Sequence, residues 1–292
     1  MKIAAIGEAM IELSMSGDTA DVRVAGDTLN TAIYLKRTAP MLEVDYITRV
    51  GTDAFSDRIV AAIEAEDIGT QAVERDPERT PGLYAITTDA AGERSFAYWR
   101  DSSAARMVFA TPSGPDFSVL ERYDVIYTSA ITLAILPTST RTALIRWLRA
   151  FRKRGGRVAF DSNYRPRLWG DPDAARAAIH SMWVLSDIAL PSIDDEMDLT
   201  GESARAVVDR FVALRRTGAL KRGAQGPLCL ETGTSANYPA ADKVVDTTAA
   251  GDSFNGAYLG ALLMGAPQDQ ALRAGHALAS EVIGHRGAIL PH

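Results

Sequence analysis

The sequence predicts an α/β fold in which helices cover both faces of a mostly parallel sheet, within one domain spanning residues 1–292. Three observations lead to this prediction. Apolar residues make up 47% of the chain and charged residues 23%, as in an ordinary globular protein. From Tyr123 onward, apolar segments of strand length alternate with segments of helical period. Two hairpin-like regions, at about 8–25 and 80–100, interrupt the pattern and predict a small separate β-sheet.

The first hundred residues combine strands and helices with the hairpin-like regions. A short apolar run that breaks at Gly7 predicts the first strand, and apolar spacing that ends before Pro40 predicts a helix over 27–37. The further elements predicted here are a strand at 44–50, a helix at 55–66, and strands at 83–88 and 93–98 around a turn at 89–92.

The remaining residues follow the alternation that indicates a parallel sheet. Strands are predicted at 125–129, 158–160 and 188–190, helices at 139–154, 173–183, 194–199 and 204–217, extended segments at 228–231 and 243–246, and helices at 252–264 and 268–285.

Composition excludes several classes of protein. The formal net charge of −6 gives the chain no overall attraction to nucleic acid or to an anionic membrane. The only cysteine, Cys229, cannot form an internal disulfide or a cysteine-based metal site, and we expect it to be a buried small side chain. No window approaches 18 uninterrupted apolar residues, and the N-terminal segment lacks the apolar core of a signal peptide. We therefore expect a cytoplasmic protein with no membrane partner.

The strongest local signal is the turn of small residues at 246–252, DTTAAGD, between an extended segment and a long apolar helix. Unpaired N–H groups at a helix N-terminus attract anions, and the small side chains of Ala249, Ala250 and Gly251 would let a phosphate approach them. Asp252 would face the same anion. A helix cap alone could explain Asp252, because Asp is favoured there, but not the three small residues before it. The pattern favours a phosphate-handling turn.

This turn resembles the C-terminal signature of the PfkB family of ribokinase-like sugar kinases, in which the Asp after the small-residue turn is the catalytic base. The segment GDTLNTA at 26–32 resembles the family's sugar-binding motif. Two further segments, YWR at 98–100 and NYRPRLW at 163–169, are similar to segments found in the branch of the family that acts on acid sugars. The resembling segments keep their order from end to end of the chain. The resemblance implies a three-layer α/β/α sandwich with a mostly parallel central sheet and a small β-sheet lid from about 8–25 and 80–100.

The reaction implied by the resemblance is transfer of the γ-phosphoryl group of ATP to the 6-hydroxyl of 2-keto-3-deoxygluconate, with Mg²⁺ bridging phosphate oxygens. Asp252 would take the hydroxyl proton. The backbone amides of Ala249, Ala250 and Gly251 would form the anion hole.

The substrate end of the implied site must bind a carboxylate and hold the sugar. Arg100 and Arg165 are the candidates for the carboxylate, because a guanidinium can make two parallel hydrogen bonds to it. Arg167 is a weaker candidate that could instead be structural. By resemblance the sugar would be held by Gly26, Asp27 and Asn30 and covered by Tyr84 and Tyr98. Asp27 could equally begin the helix, and the tyrosines could pack on a strand face.

The nucleotide end is also assigned by resemblance. The loop at 221–226 would let the phosphates approach, although only the short segment 217–220 precedes it as a strand. Glu196 would hold Mg²⁺. Asp194 and Asp195 could replace it in this role, or they could simply begin a helix, where acidic residues are favoured by the helix dipole. A monovalent cation could lie between Asp246 and 286–288. The residues assigned to the nucleotide are Asn163, Lys221, Gly223, Gly226, Gly275 and His276.

Two alternatives stay open from the sequence. The chain could be a fructokinase or another sugar kinase of this family, or a catalytically weak sugar- or nucleotide-binding protein with the same fold. The resemblance to the family also implies a homo-oligomer that assembles through the lid strands.

Overall fold

The elements below come from a computed structural model that describes residues 1–88 and 94–292. The strands are β1 (Lys2–Ile6), β2 (Met10–Ser16), β3 (Thr19–Ala25), β4 (Glu43–Ile47), β5 (Arg49–Val50), β6 (Glu74–Arg75), β7 (Gly82–Thr88), β8 (Arg94–Trp99), β9 (Val125–Ser129), β10 (Arg157–Asp161), β11 (Ile188–Leu190), β12 (Thr217–Leu220) and β13 (Leu228–Cys229). The helices are α1 (Asp27–Thr38), α2 (Ala54–Ala65), α3 (Ala130–Ile135), α4 (Thr138–Lys153), α5 (Pro172–Leu185), α6 (Ile193–Thr200), α7 (Ala204–Ala213), α8 (Ala250–Leu263) and α9 (Gln268–Val282).

Seven strands form the central sheet in the order β13-β12-β11-β10-β9-β1-β4, and every pair is parallel except β12 with β13 at the edge. Alternate side chains enter two separate cores: Ile3 and Ala5 pack on one face, Ala4 and Ile6 on the other. Helices α1, α2, α8 and α9 cover the first face, and α4, α5 and α7 cover the second. The predicted three-layer arrangement is confirmed.

A second sheet, in the order β3-β2-β7-β8, consists of the two hairpin-like regions. Strands β2 and β3 are antiparallel, β2 and β7 parallel, and β7 and β8 antiparallel. The register aligns Glu12, Tyr84 and Tyr98 in one cross-strand row. Met10, Ala25, Tyr84 and Ile86 form a small apolar cluster, against which Tyr98 packs.

Helices α2, α3, α5 and α7 each start with a side chain that caps a backbone N–H group. The carboxylate of Asp53 accepts hydrogen bonds from the N–H groups of Phe55 and Ser56 at the start of α2. Helix α5 begins at Pro172, whose missing N–H needs no partner in the first turn. Such local rules explain why the predicted helices begin close to where the structure begins them.

Four predicted elements differ from the structure. The strand predicted over 44–50 is two strands, β4 in the central sheet and β5, which pairs with β6 in a separate two-stranded sheet. The helix predicted over 204–217 ends at Ala213, and Thr217–Leu220 forms β12 instead. A β-carbon on Gly218 would lie 2.1 Å from the carbonyl oxygen of Ala189, so only glycine lets β12 approach β11 this closely. The segment at 243–246 is no strand, because the N–H groups of Val245 and Asp246 donate to the carbonyl of Ile283. That contact lies at the end of α9, which stops at Val282 rather than at 285. The predicted turn at 89–92 lies outside the described residues.

None of the helices in the part of the chain that the structure describes is long and apolar enough to cross a membrane.

Candidate active site

A cavity of about 1120 Å³ opens between the carboxyl ends of the central strands and the second sheet. Ligands of open parallel sheets bind at this edge because the loops that follow the strands converge there. Most residues that the sequence singled out line this one cavity: Gly26, Asp27, Asn30, Tyr84, Tyr98, Arg100, Asn163, Arg165, Lys221, Gly223, Gly226, Ala249, Ala250, Gly251, Asp252 and His276.

The turn before α8 has the backbone shape that an anion cradle requires. Ala249 adopts a left-handed conformation, with φ of 61°, and α8 begins at the next residue. The carboxylate of Asp246 fixes the turn by accepting hydrogen bonds from the N–H groups of Thr248 at 3.0 Å and Gly287 at 2.9 Å. In front of Gly251 the nearest atom to a built β-carbon is the Nζ of Lys221, at 3.7 Å. The space before this helix N-terminus is therefore open and faces a cation.

Asp252 lies in the first turn of α8 but does not cap it. Its Oδ2 accepts a hydrogen bond from the Nδ2 of Asn30 at 2.9 Å, and its backbone carbonyl accepts one from Thr31. Burial and the neighbouring carboxylates of Asp27 and Asp161 raise the pKa of Asp252 to about 8, although Asn30 and Lys221 oppose this shift. The carboxylate is thus poised to gain or lose a proton near neutral pH.

Asp27 lies at the start of α1 and ties three elements together. Its Oδ2 accepts hydrogen bonds from the hydroxyl of Ser129, at the end of β9, and from the Nδ2 of Asn163 at 2.9 Å. Burial raises the pKa of Asp27 above its usual range. Gly26 precedes it because a β-carbon there would lie 2.3 Å from the carbonyl oxygen of Glu8.

Lys221 follows the short strand β12 and is the cation nearest the turn. Its ammonium donates to Asp161 at 2.6 Å and to the side-chain carbonyl of Asn255 at 3.2 Å. Asp161 is buried at the end of β10, so this pair keeps an ammonium inside the cavity at a fixed place. Sequence reasoning did not single out Asp161, although its place at a strand end was a signal.

Arg100 and Arg165 both line the cavity, and both already have a carboxylate partner. Arg100 forms a buried ion pair with Glu8, which follows β1. The pair joins the Nη2 of Arg100 to the Oε2 of Glu8, and the Nε of Arg100 and the Oε1 of Glu8 have no hydrogen-bond partner among the described residues. Arg165 pairs with Asp195 at 3.2 Å and is more exposed. Glu8 was missed because its partner lies 92 residues away in the chain.

The loop that follows Lys221 turns at two glycines with positive φ, 53° at Gly223 and 70° at Gly226. A β-carbon on Gly226 would also lie 2.6 Å from the ring of Tyr238. His276 lines the same end of the cavity and contacts the carbonyl oxygen of Pro239 at 2.8 Å.

The structure corrects two predicted site residues, because neither lines the cavity. Glu196 is buried in the opposite direction, where one oxygen accepts from the indole N–H of Trp183 and the other pairs with Arg210. Asp194 and Asp195 line the cavity in its place. Gly275 instead lets α9 approach α8, since a β-carbon there would lie 2.8 Å from the ring of Phe254.

Comparison with known proteins adds to this geometry. Residues 1–292 match the family described as pfkB family carbohydrate kinase. A protein of Dickeya dadantii named 2-dehydro-3-deoxygluconokinase is 45% identical, over 99% of this chain and 96% of its own. One of Escherichia coli K12 with the same name is 41% identical, over 99% and 97%. The crystal structure of 2-dehydro-3-deoxygluconokinase from Thermotoga maritima superposes with a TM-score of 0.82 at 21% identity, over 99% and 96%.

Proposed function

Because this chain belongs to the pfkB family of carbohydrate kinases, we propose that it transfers the γ-phosphoryl group of ATP to the 6-hydroxyl of 2-keto-3-deoxygluconate. The product would be 2-keto-3-deoxy-6-phosphogluconate, and ADP would leave. The observation that carries the proposal is Asp252, a carboxylate of raised pKa beside an open helix N-terminus in a cavity that also holds arginines. Relatives of 41–45% identity that bear the name of this activity support the choice of substrate.

Asp252 is the general base of the proposed reaction. It accepts the proton of the 6-hydroxyl while that oxygen forms its bond to the γ-phosphorus and the bond to the β-phosphate oxygen breaks. Asn30 holds one carboxylate oxygen and leaves the other for the hydroxyl. A base whose pKa lies near the working pH transfers protons efficiently, which fits the raised pKa of Asp252.

The turn before α8 would stabilise the charge of the transferring group. The N–H groups of Ala249, Ala250 and Gly251 lie at the positive end of the helix dipole. Lys221 adds an ammonium close to Gly251 without a side chain in between. In such a transfer, fixed hydrogen-bond donors and cations provide most of the stabilisation of the transition state.

The sugar would lie between Asp27 and Asn30 on one side and the second sheet on the other. Tyr84 and Tyr98 stack with 5.5 Å between ring centroids and line the cavity wall above it. The Oδ1 of Asn30 is buried with no hydrogen-bond partner among the described residues, so it can accept from a sugar hydroxyl. Arg100 and Arg165 remain the proposed contacts of the carboxylate.

Mg²⁺ is usually held by one or two carboxylates together with substrate phosphates, and Asp194 and Asp195 at the start of α6 supply such a pair. When bound, the ion would neutralise phosphate charge. A monovalent cation between Asp246 and 286–288 is a further part of the proposal.

We also propose a homo-oligomer that assembles through the second sheet, in the cytoplasm where ATP is available. Met15 and Trp99 are exposed on the face of that sheet opposite to Tyr84 and Tyr98, and Trp99 is 61% exposed. Replacement of Trp99 by Glu should shift the mass measured by light scattering to that of the monomer. An unchanged mass would contradict assembly through this face.

The test of the function is an ADP-coupled assay with 2-keto-3-deoxygluconate, fructose and ribose, each with and without Mg²⁺. We expect Mg²⁺-dependent turnover of the keto-deoxy acid and little of the neutral sugars. Preference for fructose would favour the fructokinase alternative. Binding of ATP and sugar acid without turnover would favour a binding protein.

A further inference from the structure

The cavity contains an arginine whose charge no carboxylate balances. Arg100 pairs with Glu8 and Arg165 pairs with Asp195, so each of these cations already shares its charge. Arg167 and Arg222 also line the cavity, and within residues 1–88 and 94–292 neither has an ion pair. Arg222 donates to the carbonyl oxygens of Gln225 and Gly226 in the loop after β12. Arg167 is therefore the unpaired guanidinium of the cavity that lies against the second sheet.

Arg167 is held by a ring rather than by an acid. It lies on the short turn Pro166–Leu168 that follows β10, and its guanidinium carbon is 4.4 Å from the centroid of the Tyr98 ring. Tyr98 in turn stacks on Tyr84, whose hydroxyl donates to the buried carboxylate of Glu12. The ring that supports the guanidinium is thus itself fixed by the second sheet.

This support leaves the guanidinium free to bind. A guanidinium that lies over an aromatic face keeps its N–H donors at the edge of its plane, where two of them can meet a carboxylate. The stack also restrains the long side chain before the ligand arrives, so less conformational entropy is lost on binding.

We propose that Arg167 is a specificity-determining residue that binds the carboxylate of the sugar acid and links it to the second sheet through Tyr98. This inference rests on the proposed function, since it concerns the acid group of that substrate. Arg167 belongs to the central body and Tyr98 to the second sheet, so a carboxylate bound at Arg167 lies where the two meet. A neutral sugar has no group that can make this charged contact.

The test compares two acceptors that differ only at the acid group. One is 2-keto-3-deoxygluconate and the other is 3-deoxyfructose, in which a hydroxymethyl group replaces the carboxylate. In Arg167→Ala we expect the KM for the acid to rise about 10- to 100-fold, because a charge-assisted bidentate contact is lost, while kcat changes little. The kcat/KM for 3-deoxyfructose should be unchanged. Arg167→Lys keeps the charge without the fork and should fall between the wild type and Arg167→Ala.

Matched controls separate this role from a structural one. Arg146→Ala removes an exposed arginine of α4, outside the cavity, and should leave both acceptors unaffected. Tyr98→Phe keeps the ring face and should retain the preference for the acid. Tyr98→Leu removes the ring face, and its effect on the acid should be less than additive with that of Arg167→Ala.

The outcomes distinguish the inference from the function on which it rests. A wild type that prefers the acid, with an Arg167→Ala variant that keeps the same KM ratio between the acceptors, overturns the role of Arg167 alone. An equal loss for both acceptors in Arg167→Ala and Arg167→Lys overturns it as well, because a structural role predicts that result. A wild type that does not distinguish the two acceptors overturns the proposed acid substrate together with Arg167.

Discussion

The two ends of the cavity differ in how their charges are balanced. At the end beside α8, Asp27, Asp161 and Asp252 lie close enough to raise the pKa of Asp252, and Lys221 is the nearby cation. At the end beside the second sheet, the buried charge of Arg100 is already balanced by Glu8, and the exposed Arg167 lies over the Tyr98 ring without a carboxylate partner among the described residues. The first end holds unfavourable buried charge that ligands can relieve. At the second end the buried charge of Arg100 is balanced before a ligand binds, and Arg167 is left for the ligand.

The largest effect should come from the unbalanced end. Asp252→Asn removes the proposed base while it keeps the size and the hydrogen bond to Asn30. We expect kcat to fall about 10³- to 10⁴-fold, the upper part of the range for general base catalysis. Calorimetry should show that ATP and the sugar acid still bind. Turnover at the wild-type rate would show that Asp252 is not the base. The charge difference between the two ends would then have no consequence for catalysis.

The balanced end should respond in stability. Glu8→Ala leaves Arg100 buried without its partner, and we expect the free energy of unfolding to fall by about 3–5 kcal/mol. Urea denaturation measures it. The matched control is Asp173→Ala, which breaks an exposed pair with Arg176 and should cost under about 1 kcal/mol. Equal losses in the two variants would mean that burial does not distinguish the Glu8 pair.

The pH dependence of catalysis sharpens the comparison. Because the proposed base must be deprotonated, kcat/KM should rise about tenfold per pH unit below the pKa of Asp252, which is about 8, and level off above it. The profile from pH 5.5 to 9.5, with a saturating coupling enzyme, measures this limb. A flat profile across pH 6 to 9 would contradict the raised pKa.

The smallest effect is a gain in stability from the loss of the base. Since the folded protein holds the Asp252 proton up to about pH 8 and the unfolded chain releases it near the ordinary aspartate pKa of 3.8, the carboxylate destabilises the fold as pH rises through this window. The gain in the free energy of unfolding from Asp252→Asn should therefore grow by about 1.4 kcal/mol per pH unit inside this window, as measured at pH 5 and pH 7. An equal gain in the free energy of unfolding at the two pH values would show that titration of Asp252 does not cause the gain.

The sequence predicted the strands of the central sheet and the turn before α8 because each of these elements is formed by consecutive residues. It could not predict the ion pairs of Glu8 with Arg100 or of Lys221 with Asp161, since each joins residues 60 or more positions apart. It also chose Glu196 of α6 for the metal, and this side chain does not line the cavity. Successive side chains of a helix point about 100° apart, so Asp195 lines the cavity while Glu196 enters the core. Short β12 lacks β-branched residues after Thr217, which hid the end of α7.

Gly275 influences the position of the cavity wall that carries His276, although Gly275 does not line the cavity. The residue faces Phe254 rather than the cavity, yet the absence of its side chain sets how closely α9 lies against α8. One methyl group at this position would work as a spacer and move the wall that carries His276 outward. The width of this end of the cavity therefore depends on packing inside the core. A substitution in the core can change that width without replacing any residue that contacts a ligand.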